Sequence, residues 1–125
     1  MSGLSDDTLR KILTQIQQQA ITSQKQLSIV RAQIQSKEKD KKILTLTVRE
    51  LGYVPKEHDG LYKGVGKMFI QQDRKEVDGQ YSAQEKQLND DLSVLNKKVK
   101  YLEKQFDEAN SQLKDIFHSQ QRQSA

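Results

Sequence analysis

Two stretches of this chain place apolar residues at alternating three- and four-residue intervals over several heptads. Only a long helix lying against another helix can bury that spacing. In the first stretch, with Leu13 at position a, the a series is Leu13, Ala20, Leu27, Ile34, Lys41 and Val48. The d series is Leu9, Ile16, Ser23, Val30, Lys37, Leu44 and Leu51. In the second, the a series is Glu85, Leu92, Val99, Phe106, Leu113 and Gln120, and the d series is Tyr81, Leu88, Leu95, Leu102, Ala109 and Ile116. Positions outside the seam are mostly Gln, Lys, Glu, Asp and Ser, as a solvated face requires.

Composition decides what this periodicity means. Of the 125 residues, 34% are hydrophobic and 6% aromatic, Trp is absent, and 30% are charged. Mean hydropathy is −0.87. That is too little apolar material for a compact globule and leaves disorder or a long coil. Sustained heptads select the coil. The chain reads as a single domain, residues 1–125: helix one over about 6–51, a connection with a β-hairpin over about 52–73, helix two over about 74–119, and a tail at 120–125.

The expected boundaries carry their own signals. Ser5 before Asp6 and Asp7 suits an N-cap with acids in the first turn. Gly52 after Leu51, with Pro55 following, suits a helix stop. Asp73 with Glu76 resembles a capping box, and Gly79 weakens the start of helix two. Between the helices, extended runs Leu61–Lys63 and Lys67–Gln72 flank Gly64-Val65-Gly66, which predicts a hairpin turning on those glycines. The helices leave and return around one hairpin, so they run antiparallel. Pairing by level matches residues whose numbers total about 129. Lys37 and Lys41 then lie near Gln87, Asp90 and Asp91, whose carboxylates can answer two seam lysines. The same register sets Ala20 against Ala109 and Ser23 near Phe106.

A lone two-stranded hairpin is marginal in water and exposes unpaired edges. Met68, Phe69 and Ile70 run apolar without alternation, which asks for burial on both faces. Ile43 and Leu46 lie off the seam near the hairpin. Together these predict oligomerisation through the hairpin, the alternative being a monomer whose hairpin folds back on its helices. At the other end of the coil, Ile12 and Phe117 are off-seam at one level, with Leu4 beyond. They are either a protein-binding tip or frayed ends that tolerate apolar residues.

Little points to catalysis. His58 and His118 lie far apart, without the spaced ligands of a metal site. Gly60 to Gly66-Lys67 fails as a phosphate loop: its spacing is one residue too long, and Met68 stands where Ser or Thr would bind magnesium. No catalytic residue, cofactor or metal is expected. Cysteine is absent, which fits a reducing compartment. The N-terminal sequence does not predict a secretory signal, and no apolar run reaches the ~20 residues of a membrane span. Lysines and arginines exceed carboxylates by four. The basic runs Lys37–Lys42 and Lys97-Lys98-Val99-Lys100 read as solvated faces, since both are interleaved with or followed by acids.

The segment Leu61-Tyr62-Lys63-Gly64-Val65-Gly66-Lys67-Met68-Phe69-Ile70-Gln71-Gln72 resembles the hairpin of β-class prefoldin subunits, and Lys97–Lys104 resembles part of their second helix. The order helix, single hairpin, helix resembles that class over nearly the whole chain. The resemblance implies a heterohexamer with two α-class and three further β-class subunits, its hairpins joined in an oligomeric β-barrel. It implies ATP-independent capture of unfolded proteins such as nascent actin and tubulin, and delivery to the cytosolic chaperonin, in the cytoplasm and with a nuclear pool allowed. Leu61, Tyr62, Val65, Met68, Phe69 and Ile70 would form the oligomerisation hairpin. Leu4, Leu9, Ile12, Leu13, Ile116 and Phe117 would lie at the client-binding tip. No membrane partner or specific nucleic acid is expected. Two rivals stand beside this reading: a purely structural coiled-coil subunit, and a basic coil binding nucleic acid through Lys97, Lys98 and Lys100.

Overall fold

The computed structural model describes residues 5–55 and 61–124. Helix α1 spans Asp6–Gly52, strand β1 Leu61–Val65, strand β2 Met68–Gln72 and helix α2 Arg74–Ser124. The chain divides into two units. A terminal unit takes Met1–Gln33 and Leu95–Ala125, and a hairpin unit takes Ile34–Val94.

Helix α1 starts as its sequence dictates. The Ser5 carbonyl accepts the first helical bond from Leu9 N–H at 3.0 Å, and Ser5 Oγ accepts from Thr8 N–H at 3.3 Å. Its hydroxyl also lies 2.8 Å from that of Thr8. An otherwise orphaned donor of the first turn is thereby satisfied, a cap worth about 1 kcal/mol.

In the terminal unit the core is a narrow seam. Ala20, Ser23, Leu27 and Val30 of α1 and Leu102 and Ala109 of α2 are buried. Leu9, Leu13, Ile16, Val99, Phe106, Leu113 and Ile116 are half-buried, since a two-helix seam leaves one side of many core residues open. Arg31 and Glu103 flank it with a 3.1 Å ion pair. Both occupy heptad position e, and e faces e only when two helices run antiparallel.

In the hairpin unit Leu44 and Val77 are buried, and Lys37 Nζ meets Asp91 Oδ2 at 3.4 Å. Here the heptad reading needs correction. Val48 was expected in the seam but is exposed, and Thr47 is half-buried in its place. The exchange is local, since Leu51 is half-buried where the heptads place it. Thr47 Oγ1 donates to the Ile43 carbonyl at 2.9 Å, so its polar atom is satisfied at this half-buried position. Among the described residues, no buried side-chain nitrogen or oxygen lacks a hydrogen-bond partner.

The turn differs from expectation as well. Val65 pairs with Met68, leaving Gly66 and Lys67 as a two-residue loop. Gly64 belongs to β1 and Lys67 to the turn. Gly66 has φ +60°, and no non-glycine residue among those described has positive φ. A glycine first in a two-residue turn, with only its own φ positive, matches the II′ geometry that follows the twist of antiparallel strands.

Candidate functional site

Alternation along the five hairpin pairs sorts its side chains onto two faces. Tyr62 and Phe69 lie on one face. Leu61, Val65, Met68 and Ile70 lie on the other. Phe69 is 77% exposed, Met68 70%, Tyr62 68%, and Val65 and Ile70 50% each, while Leu61 is half-covered. The hairpin is therefore apolar and open on both faces, and it does not fold back on the helices. Gly64 lies opposite Phe69, and a Cβ there would sit 3.8 Å from the Phe69 ring, in ordinary contact.

One arginine ties this hairpin to its helices. Arg74 opens α2, and its Nη1 donates to the Val54 carbonyl at 2.7 Å and its Nη2 to the Leu51 carbonyl at 2.8 Å. These carbonyls belong to the last turn of α1 and the turn just after it, where Tyr53 N–H bonds the Glu50 carbonyl and Val54 N–H bonds the Leu51 carbonyl. Gly52, expected at a helix stop, is the last residue of α1, and its φ is not positive. The helix is closed by these i→i+3 bonds and by the guanidinium. Sequence reading passed over Arg74. Its one signal was a cation in the first turn of a helix, where the macrodipole disfavours it.

Beside the hairpin, Ile43 and Leu46 are 53% and 52% exposed and Tyr53 is 70% exposed. Lys37, Ile43, Leu44, Tyr81, Leu88 and Asp91 are among the residues lining a groove of about 450 Å³ in this unit. The seam lysines Lys37 and Lys41 are both half-buried.

The expected tip residues fall in the terminal unit. Leu9, Ile12, Leu13 and Ile116 are half-buried, and Phe117 is 53% exposed. Leu4, like His58 and Gly60, lies outside the described residues. Among the described residues no three His, Asp or Glu side chains group as metal ligands, and no helix is long and apolar enough to cross a membrane.

A fold of two long helices on one two-stranded hairpin, apolar on both its faces, defines a class, and sequence comparison agrees with it. The family model described as prefoldin subunit matches residues 14–120. The chain belongs to the prefoldin subunit family, whose members are chaperone components that assemble with other prefoldin subunits.

Within that family it is similar to prefoldin subunit 1. It is 28% identical to that protein of Tetraodon nigroviridis and 28% identical to that of Homo sapiens, in each case over 98% of this chain and 100% of the relative. It is 34% identical to the probable prefoldin subunit 1 of Schizosaccharomyces pombe, over 89% of this chain and 98% of the relative. The crystal structure of the prefoldin beta subunit from Thermococcus strain KS-1 shares its fold, with a TM-score of 0.76, 18% identity, and coverage of 93% of this chain and 96% of that one.

Proposed function

We propose that this chain is a non-catalytic subunit of a heterohexameric holdase, cytoplasmic, with two α-class and three further β-class partners. The carrying observation is the hairpin. Tyr62 and Phe69 on one face and Val65, Met68 and Ile70 on the other are at least half exposed. Two strands cannot cover themselves, and strands from other subunits would bury both faces in a closed barrel. Native mass spectrometry of the tagged chain, purified gently from its own cells, tests this. A six-chain assembly with five distinct coiled-coil partners is expected. A monomer or homodimer overturns it.

The holdase step rests on the free ends of the coil. Leu9, Ile12, Leu13, Ile116 and Phe117 offer a small apolar surface, weak alone and strengthened when several such ends share one frame. Non-native chains such as actin and tubulin would be held there without ATP and passed to the cytosolic chaperonin. One observation favours a purely structural subunit instead: of these five side chains only Phe117 is mostly exposed. Suppression of aggregation separates the two. The assembly should keep a denatured protein soluble, and Phe117→Ser should weaken that protection. An assembly that forms yet protects nothing supports the structural reading.

A further inference from the structure

The net charge of this chain is not spread evenly. The hairpin unit contains as many carboxylates as lysines and arginines, so the whole excess of four lies in the terminal unit. There it is local. No carboxylate occurs from Thr8 to Lys37 in α1 or from Leu92 to Leu102 in α2. Lys97, Lys100, Tyr101 and Lys104 follow at i, i+3, i+4 and i+7, which places them in one stripe along α2. All four are exposed, at outward heptad positions.

Carboxylates border only the C-terminal half of this stripe, where Lys100 and Lys104 line a groove with Glu103, Asp107 and Glu108. Glu103 is engaged by Arg31 at 3.1 Å. Asp107 and Glu108 lie within helical reach of Lys104, one turn on, but neither reaches Lys97 or Lys100. Tyr101 is 60% exposed, and its hydroxyl oxygen accepts a 2.7 Å hydrogen bond from Gln105 Nε2. The aromatic ring stands on the same helical stripe as Lys97 and Lys104, one turn from each.

The geometry points to a docking site for a short acidic polypeptide segment that carries an apolar or aromatic side chain among its carboxylates. The lysines would meet the carboxylates and the Tyr101 ring would cover the apolar group. This surface is separate from both the hairpin and the coil ends, and the inference holds whether or not those ends bind clients. Charge complementarity selects an acidic partner. Length selects a peptide over a nucleic acid: Lys97 to Lys104 spans roughly 10 Å of helix, enough for three or four extended residues but short for tracking a phosphate backbone. Net charge in the unit is likewise too small for a nucleic-acid footprint.

Fluorescence anisotropy on the assembled protein tests the site. The probe is a labelled twelve-residue peptide of Glu and Asp with one central Phe. The comparisons are the same peptide with Gln and Asn in place of the acids, and a single-stranded RNA dodecamer. Binding of the acidic peptide should weaken with salt. It should fall about tenfold or more in Lys97→Gln/Lys100→Gln/Lys104→Gln and survive in the corresponding triple Lys→Arg variant. Tyr101→Ser should weaken it several-fold without changing its salt dependence. Circular dichroism verifies that each variant keeps its helix. Undiminished binding in the triple Lys→Gln variant overturns the site, as does failure of the acidic peptide to bind better than its amide counterpart. Tighter binding of the RNA than of the peptide overturns it in favour of the nucleic-acid reading.

Discussion

Replacing both seam lysines of the hairpin unit, Lys37→Leu with Lys41→Leu, should stabilise the protein. Lys37 retains 39% side-chain exposure and Lys41 is half-buried, so each Leu would be roughly two-thirds covered. Full burial of Leu is worth about 1.5–3 kcal/mol, which scales to about 1–2 kcal/mol at this coverage. The lysine stems already bury part of that surface, and the gain drops to about 0.5–1 kcal/mol per site. Against it stands the Lys37–Asp91 pair at 3.4 Å, partly exposed on both sides and worth about 0–1 kcal/mol. Asp91, 31% exposed, can be hydrated once its partner is gone. Helix propensity is nearly the same for Lys and Leu. The net is about 1 kcal/mol of added stability, or roughly 3–5 °C for a chain of this size. Thermal unfolding followed by circular dichroism at fixed protein concentration reads it directly. Lys37→Gln is the control: it removes the pair without adding apolar surface and should lower the midpoint slightly. An unchanged or lower midpoint in the double Leu variant would refute the reasoning, because the lysines would then be better seam residues than apolar ones.

Arg74→Ala removes two charge-assisted hydrogen bonds at a partly exposed site and should cost about 2 kcal/mol, with Lys in its place recovering part. Hydrogen exchange at Tyr53, Val54 and the strands should accelerate, and unchanged protection there counts against the clasp. Gly66→Ala forces a left-handed φ on a residue with a Cβ, at about 1 kcal/mol, and Gly66→Asn should cost less; equal losses would show that the turn conformation is not responsible. Val30→Ala, at a site 2% exposed, should cost about 2 kcal/mol, whereas Ile29→Ala, at 60% exposure, should stay within about 0.5 kcal/mol. Denaturant midpoints of that pair check the seam register, and similar losses would sink it.

The seam of the terminal unit was legible because its signal is repetitive. Ala20, Ser23, Leu27, Val30, Leu102 and Ala109 were all assigned to the seam and are all buried. A single anomalous residue, such as Ser23, does not disturb a pattern carried by its neighbours. Local features lack that redundancy. Gly64 and Gly66 compete for one turn in the sequence, and only strand pairing decides that Gly64 stays in β1 beneath Phe69. Val48 and Thr47 are adjacent and both β-branched, so an exchange between them leaves no trace in composition. Val77, buried at the start of α2, precedes the heptads and had no pattern to belong to. Arg74 acts through backbone carbonyls 20 and 23 positions earlier, and no side-chain periodicity encodes such a partner. The hairpin's apolar residues were visible as a run. Nothing else in the sequence pairs with them, so it could supply only the need for a cover.

The Arg74 clasp also fixes an order of events during synthesis. Leu51 and its arginine are 23 positions apart. At about 5–20 residues per second, the ribosome takes roughly one to five seconds to supply the donor once the acceptor has been made. Closing a loop of this size by diffusion takes far less than a millisecond, so translation, not chain motion, sets the delay. During that interval the last turn of α1 has its carbonyls on water and is free to fray. The joint between the two helices therefore forms only after the whole hairpin has been polymerised.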